Sequence, residues 1–230
     1  LKEELDYDVV NVELDPRYRD FWQTYHRLTE RKGITQQIAK IEMRRRLSLI
    51  GAMLLHKGDV DGMICGTWGT NPMHLNYIDQ VVGKRKGVNT FACMNGLMLP
   101  GRQVFMVDTH VNYDPTAEQL AEFTIMAAEE MRRFGIQPKA ALLSHSNFGS
   151  SNQPSAVKMR NVLDLLRINA PWLEVEGEMH GDVALDAAAR QAIMPNNTLA
   201  GDANLLVLPN IDAANIAYNL LKTAAGGNIA

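Results

Sequence analysis

The chain has 230 residues, 46% hydrophobic and 21% charged, with 23 Lys and Arg against 26 Asp and Glu. That length allows one large domain or two small ones, able to bury a core without disulfides or metal. A net charge of −3 offers polyanions no general attraction, so nucleic acid is not an expected partner, and no apolar run nears the ~20 residues of a membrane span.

The opening LKEELDYDVV lacks the apolar stretch of a secretory signal. Because the chain begins on Leu1 and stops at Gly-Gly-Asn-Ile-Ala, it reads as a piece of a longer polypeptide. Asp15-Pro16 signals a helix start, and Tyr18, Phe21, Trp22, Tyr25 and Leu28 follow at helical spacing until Gly33. A second helix is predicted from Thr35 through Ile38, Ile41 and Met43 into Arg44-Arg45-Arg46, three arginines read as a solvated face at a helix C-terminus. A short apolar helix, Leu47 to Leu55, comes next. Gly62 to Gly66 reads as a buried strand, the loop Thr67 to Pro72 as a ligand-lining connection, and Met73 to Val82 as a helix. Lys84-Arg85-Lys86 and Gly87 mark a hinge, so residues 1–86 and 87–230 are expected to form two subdomains.

Beyond the hinge, Val88 to Leu99 and Gln103 to Val111 are β-rich runs joined by the turn signal Pro100-Gly101-Arg102. Asp114-Pro115-Thr116 caps a long helix, Ala117 to Phe134, closed by Gly135 and Pro138. Strand Ala140 to Leu143, helix Ser155 to Ile168, strand Leu173 to Gly177, helix Asp182 to Gln191, strand Asn204 to Pro209 and helix Asp212 to Thr223 then alternate. Such alternation implies an α/β fold with mainly parallel sheets flanked by helices. Cys65 and Cys93 are too few for a disulfide framework or thiolate cage; both lie in apolar runs and read as buried free thiols, with the cytoplasm as compartment.

The chemically richest segment is Ser144-His145-Ser146-Asn147-Phe148-Gly149-Ser150-Ser151, between a strand and a helix that carries Lys158 and Arg160. Hydroxyls and backbone N–H groups at a helix start suit phosphate or carboxylate oxygens, and an ordinary serine-rich cap is the alternative. Neighbouring strand residues point to opposite faces, so Ser144-His145-Ser146 is a poor hydrolase dyad, and no Gly-x-Ser-x-Gly elbow exists. Glu178, His180 and Asp182 have metal-ligand chemistry, but a structural histidine and a helix cap explain them as well, and no metal site is expected. Neither dinucleotide nor nucleoside-triphosphate loop motifs occur.

Longer runs carry a resemblance. Asp114 to Glu122, Phe134-Gly135-Ile136-Gln137-Pro138-Lys139 and Ala141 to Ser146 resemble the N-P-x-P-T-A-E-Q-L-A, F-G-I-x-P-x-V and A-L-L-S-Y-S-T motifs of the phosphate acetyl/butyryltransferase family. Leu143 to Ser151, Gly177 to Asp182 and Tyr218 to Leu221 are similar to the acetyltransferase-like C-terminal domain of bacterial NADP-dependent malic enzymes. The resemblance implies two α/β subdomains around a cleft, with opening strands and a closing segment outside this chain. It also implies acetyl-CoA as an allosteric effector, homo-oligomers, and NADP and a divalent metal confined to a separate malic-enzyme domain. Residues 144–151, Lys158 and Arg160 are the expected ligand contacts, with Thr67, Gly69, Thr70 and Asn71 opposite and no cofactor or catalytic residue in this chain. The family's arginine in T-L-R-P-A-L-Q falls on Asn76, and a basic residue of L-R-K-x-K-G falls on Thr29. Asparagine cannot supply the charged fork that holds a phosphoryl group, so ligand sensing is expected rather than acetyl transfer. An active phosphate acetyltransferase, with Ser144 or Ser146 orienting phosphate, and a bare oligomerisation module are the alternatives.

Overall fold

The computed structural model describes residues 6–12, 14–226 and 228–229. The opening residues 1–5, part of the segment read as non-secretory, lie outside the described residues. The chain divides into two compact units, residues 1–87 and 88–230.

The described part of the first unit is built of helices α1 (Tyr18–Thr29), α2 (Gln36–Arg45), α3 (Leu47–Lys57) and α4 (Asn71–Val81). Thr35 starts α2 by accepting the Ile38 N–H, and Pro72 stands in the first turn of α4, where no intrahelical donor is lost. Phe21 and Tyr25 of α1, Met43 of α2, Leu49 and Met53 of α3 and Tyr77 and Val81 of α4 form one apolar core. Arg44, Arg45 and Arg46 are exposed, as predicted, whereas Ile38 and Ile41 lie on the outer face of α2 instead of in the core.

Gly62 to Gly66, predicted as a buried strand, is irregular, with Ile64 and Cys65 exposed. A strand needs a neighbour to take its N–H and C=O groups, and no strand stands beside it among the described residues of this unit. Cys65 therefore overturns the expectation of a buried thiol. Cys93 departs less, being half-buried, and burial pushes its thiol above the usual range.

The second unit holds a six-stranded sheet: β1 (Met94–Leu99), β2 (Arg102–Val107), β3 (Lys139–Leu143), β4 (Glu174–Met179), β5 (Leu205–Val207) and β6 (Asn228–Ile229), in the order β4-β3-β5-β2-β1-β6. The β4-β3, β3-β5 and β5-β2 pairs are parallel, and β2-β1 and β1-β6 are antiparallel, so the sheet is mixed. The β1–β2 hairpin turns where predicted, with Leu99 opposite Arg102 and Gly101 at φ +78°. The first β-rich run starts later than expected, at Met94.

Helices cover both faces of the sheet: α5 (Ala117–Arg133) and α6 (Pro154–Asn169) on one, α7 (Gly181–Leu185) and α9 (Ile211–Ala224) on the other. Strand alternation assigns the residues to the two cores: Phe105, Val107, Leu205 and Val207 go to the α5/α6 side, and Val104, Met106, Leu206 and Leu208 to the α7/α9 side. A capping box between Thr116 and Gln119 starts α5. The helix predicted over 182–191 is two, α7 and α8 (Ala187–Ile193), because the Asp186 carboxylate accepts the Ala188 and Ala189 N–H groups and opens a new helix there.

Candidate ligand site at the strand ends

The parallel strands bring their C-terminal ends to one edge, where an α/β sheet places ligands. A cavity of about 360 Å³ lies there, lined by Leu143 and Ser144 at the end of β3, His145, Ser155, Gly181, Leu208 and Pro209 beyond β5, and Ala213. Of the predicted loop, Ser144 and His145 face this cavity. Residues 146–151 form a hydrogen-bonded layer organised by Glu178.

Glu178 is fully buried at the end of β4. Its Oε1 accepts from Ser146 Oγ at 2.7 Å, from the Gly149 N–H at 2.9 Å and from Arg160 Nη1 at 2.7 Å. Burial alone pushes this carboxyl upward, but the Ser146 hydroxyl, the Gly149 amide and the Arg160 guanidinium outweigh it and hold the group below the usual carboxylate range. The same arginine donates to Ser151 O at 3.0 Å and Asn152 Oδ1 at 3.2 Å, tying the start of α6 to the loop.

The loop is also closed on itself. Ser146 Oγ accepts from the Ser151 N–H at 3.0 Å, Ser150 Oγ from the Asn147 N–H at 3.0 Å, and Ser144 Oγ from the Ser146 N–H at 3.2 Å. Asn147 Oδ1 accepts the His180 N–H at 2.8 Å, while His180 Nε2 bonds the His145 carbonyl at 2.8 Å. His180 is thus a structural histidine with a partner, as the sequence suggested. His145 Nε2 meets Ser151 Oγ at 3.0 Å, so its serine contact is six residues away rather than adjacent. Phe148 takes the left-handed conformation at φ +48°, uncommon for a bulky residue, and is held there by its N–H to Glu178 O at 2.8 Å and by packing on the α7/α9 core.

One glycine is indispensable to the arrangement. Gly177 has φ +149°, and a Cβ there would stand 2.7 Å from Leu142 O, where the β3–β4 register shifts and delivers Glu178 beneath the loop.

The cations are placed less freely than their sequence positions suggest. Lys158 pairs with Asp114 at 2.7 Å and donates to Pro115 O, and Arg160 is engaged by Glu178. Thr67, Gly69, Thr70 and Asn71 belong to the other unit: Thr67 and Gly69 line a separate cavity there, Thr70 is the N-cap of α4, and Asn71 is its first residue. Asn76, on α4, accepts from Gln80 Nε2 at 3.1 Å. Among the described residues no three His, Cys, Asp or Glu side chains are grouped to hold a metal ion, and no helix is long and apolar enough to cross a membrane.

Sequence reasoning named Glu178 only as a weak ligand candidate and passed over Asp108 and Arg190. Asp108, buried after β2, accepts from the N–H groups of Cys93, His110, Val111 and Asn112 and pins the loop that follows. Its signal was a charge inside the β-rich run Gln103 to Val111. Arg190, also buried, donates to Asn197 Oδ1 and to the carbonyls of Val183, Ala184, Leu199 and Gly201.

Comparison with known proteins decides the family. The family model described as phosphate acetyl/butaryl transferase matches residues 2–229. The chain belongs to the phosphate acetyl/butaryl transferase family. Within it, the chain is 48% identical over 229 residues to the NADP-dependent malic enzyme of Escherichia coli (strain K12), covering 100% of this chain and 30% of that enzyme. Its identity to the phosphate acetyltransferase of Paracoccus denitrificans is 35% over 215 residues, 90% of this chain and 66% of that protein. A solved phosphotransacetylase from Streptococcus pyogenes superposes with a TM-score of 0.85 at 27% identity, covering 99% of this chain and 69% of that one. The α/β fold with its mixed sheet is therefore the transferase fold, and the chain is homologous to the phosphate acetyltransferase-like part of malic enzymes.

Proposed function

We propose that this chain is the ligand-sensing, non-catalytic part of a cytoplasmic malic enzyme that converts malate to pyruvate and CO2, and that acetyl-CoA is its effector. On this reading NADP and the divalent metal belong to a malic-enzyme domain of the same polypeptide. The donor groups described above do not fit either one. Homo-oligomers would carry the response between subunits.

The observation that carries the reading is the charge state of the 144–151 loop. Arg160 is committed to Glu178 and Lys158 to Asp114, and Asn76 stands where the family motif has arginine. Acetyl transfer from acetyl phosphate to CoA breaks the acetyl C–O bond and needs positive charge that strengthens its grip on the departing phosphate as the transition state forms. A loop whose cations are already neutralised suits an uncharged end of a ligand, such as the acyl-thioester and amide portion of acetyl-CoA, received by Ser144 and His145 at the cavity. The higher identity to a malic enzyme than to a phosphate acetyltransferase supports the same assignment.

Control then follows if acetyl-CoA binds one arrangement of the full enzyme more tightly than another, since equal affinity would shift nothing. The test pairs two assays on the chain: calorimetric titration with acetyl-CoA, and formation of acetyl-CoA from CoA and acetyl phosphate. Saturable binding without turnover is expected. Turnover lost on Ser144→Ala would instead establish the transferase. That second reading is favoured by the opening of Ser144 and His145 into the cavity.

A further inference from the structure

One cluster in the second unit belongs neither to the 144–151 loop nor to the apolar cores. Cys93 stands just before β1, Asn95 is the second residue of that strand, and Thr109 and His110 follow β2. Antiparallel pairing, with Met94 opposite Val107, sets these residues side by side. Cys93 Sγ has Asn95 Oδ1 at 3.3 Å, Thr109 Oγ1 at 3.4 Å and His110 Nδ1 at 3.7 Å. A thiol, an imidazole nitrogen and an amide oxygen are thus gathered in one place.

Those separations are the ones a tetrahedral metal ion imposes. With bonds of about 2.3 Å to sulfur and about 2.1 Å to nitrogen or oxygen, two ligands at the tetrahedral angle lie about 3.6 Å apart. Asn95 Oδ1 and His110 Nδ1 fall on either side of that distance from the sulfur. Asp108 supplies an independent reason for a cation here. Its Oδ1 accepts the Cys93 and His110 N–H groups at 3.1 Å each, fixing both backbones, and its further donors are N–H groups of Val111 and Asn112. All of these donors are neutral, so a buried negative charge lies beside the sulfur, and buried charges favour a counter-ion.

We propose that Cys93, His110 and Asn95 bind a thiophilic divalent metal ion of the Zn2+ class, with water as the fourth ligand. The metal replaces the thiol proton, which passes to solvent. Either tautomer of the free imidazole serves, because metal at Nδ1 leaves the ring proton on Nε2. Thr109, fully buried, donates its hydroxyl to the bound thiolate, and the exposed His110 leaves an approach from solvent. Sulfur and imidazole select this class of ion over Mg2+ or Mn2+, which prefer oxygen ligands. The bound ion would tie the start of β1 to the loop after β2, which α9 already holds through Asn215 Nδ2 to Thr109 O at 3.2 Å.

The probe is Co2+, titrated into the chain with a reductant that is neither a thiol nor a chelator. The expected result is a thiolate-to-cobalt charge-transfer band that saturates at a single ion per chain and is displaced by Zn2+. Cys93→Ser should abolish the band, His110→Phe should weaken binding about a hundredfold and Asn95→Ala about tenfold. Cys65→Ser should leave it unchanged, since Cys65 is an exposed thiol of the other unit. No band, a band that survives Cys93→Ser or is lost with Cys65→Ser, or affinity indifferent to His110→Phe or Asn95→Ala overturns the proposal. The variant at the exposed His110 decides if Cys93→Ser does not fold. None of these results bears on whether acetyl-CoA binds at 144–151, so the two proposals fail separately.

Discussion

Two buried titratable side chains, Glu178 in the second unit and His74 in the first, show how differently the two units treat polar groups. Glu178 has Ser146, Gly149 and Arg160 converging on Oε1, which neutralises the cation beside it, while its Oε2 is buried without a hydrogen-bond partner. His74 has a single partner, Ser48, and its free nitrogen lies beside a cavity with two arginines and no acid. The first arrangement spends its electrostatic interactions within the fold and leaves a preformed, nearly neutral loop. The second rests on one bond and leaves a ring nitrogen unmatched, and an unmatched buried polar atom, here as at Glu178 Oε2, costs stability. A loop built the first way suits recognition by shape and neutral hydrogen bonds.

The contrast can be broken by mutation, beginning where the second unit has most to lose. Arg190 is matched entirely by oxygen acceptors, so Arg190→Met should cost about 3 kcal/mol in denaturant unfolding, by orphaning buried carbonyls. A loss below about 1 kcal/mol would show that those carbonyls find other donors.

Glu178→Gln should cost about 2 kcal/mol at neutral pH, because the charge-assisted bonds to Arg160 and Ser146 weaken. The pH dependence sharpens the point. The folded pKa of Glu178 is held below its unfolded value of about 4.3. Its contribution is therefore complete above that value and lost as pH falls through the folded pKa. The stability gap between wild type and Glu178→Gln should be flat from pH 7 to about 5.5 and close in acid. A gap that widened in acid would reverse the assignment.

In the first unit the double change Ser48→Ala with His74→Phe removes both the bond and the unmatched nitrogen, and should shift stability by no more than about 1 kcal/mol. A much larger loss would mean that the pair is structural. Smallest of all should be Lys158→Met. Its partner Asp114 is exposed, and surface pairs contribute about 0.5 kcal/mol, so unfolding should barely change.

What the residues disclosed in advance follows the same division. The capped helix after Asp114-Pro115-Thr116, the Pro100-Gly101 turn and the alternating elements from Ala140 to Thr223 carry local signals, and they stand close to where those signals put them. The stretch Gly62 to Gly66 carried strand-like composition, but strand formation depends on a neighbour that no local pattern reports. At the site, the loop 144–151 was legible as polar segments between strand and helix. Its organiser was not, because Glu178 lies 32 residues from Ser146 and they meet only through the parallel β3–β4 pairing. The commitment of Arg160 to that carboxylate was hidden for the same reason, and with it the charge state on which the functional reading turns.

That reading is tested most directly by amide hydrogen exchange of residues 144–151 with and without acetyl-CoA. Binding at the preformed loop predicts saturable slowing of exchange at these residues and at Gly181, with CoA and acetyl phosphate remaining unconverted. Exchange at 144–151 that is unaltered at about millimolar acetyl-CoA would contradict the account.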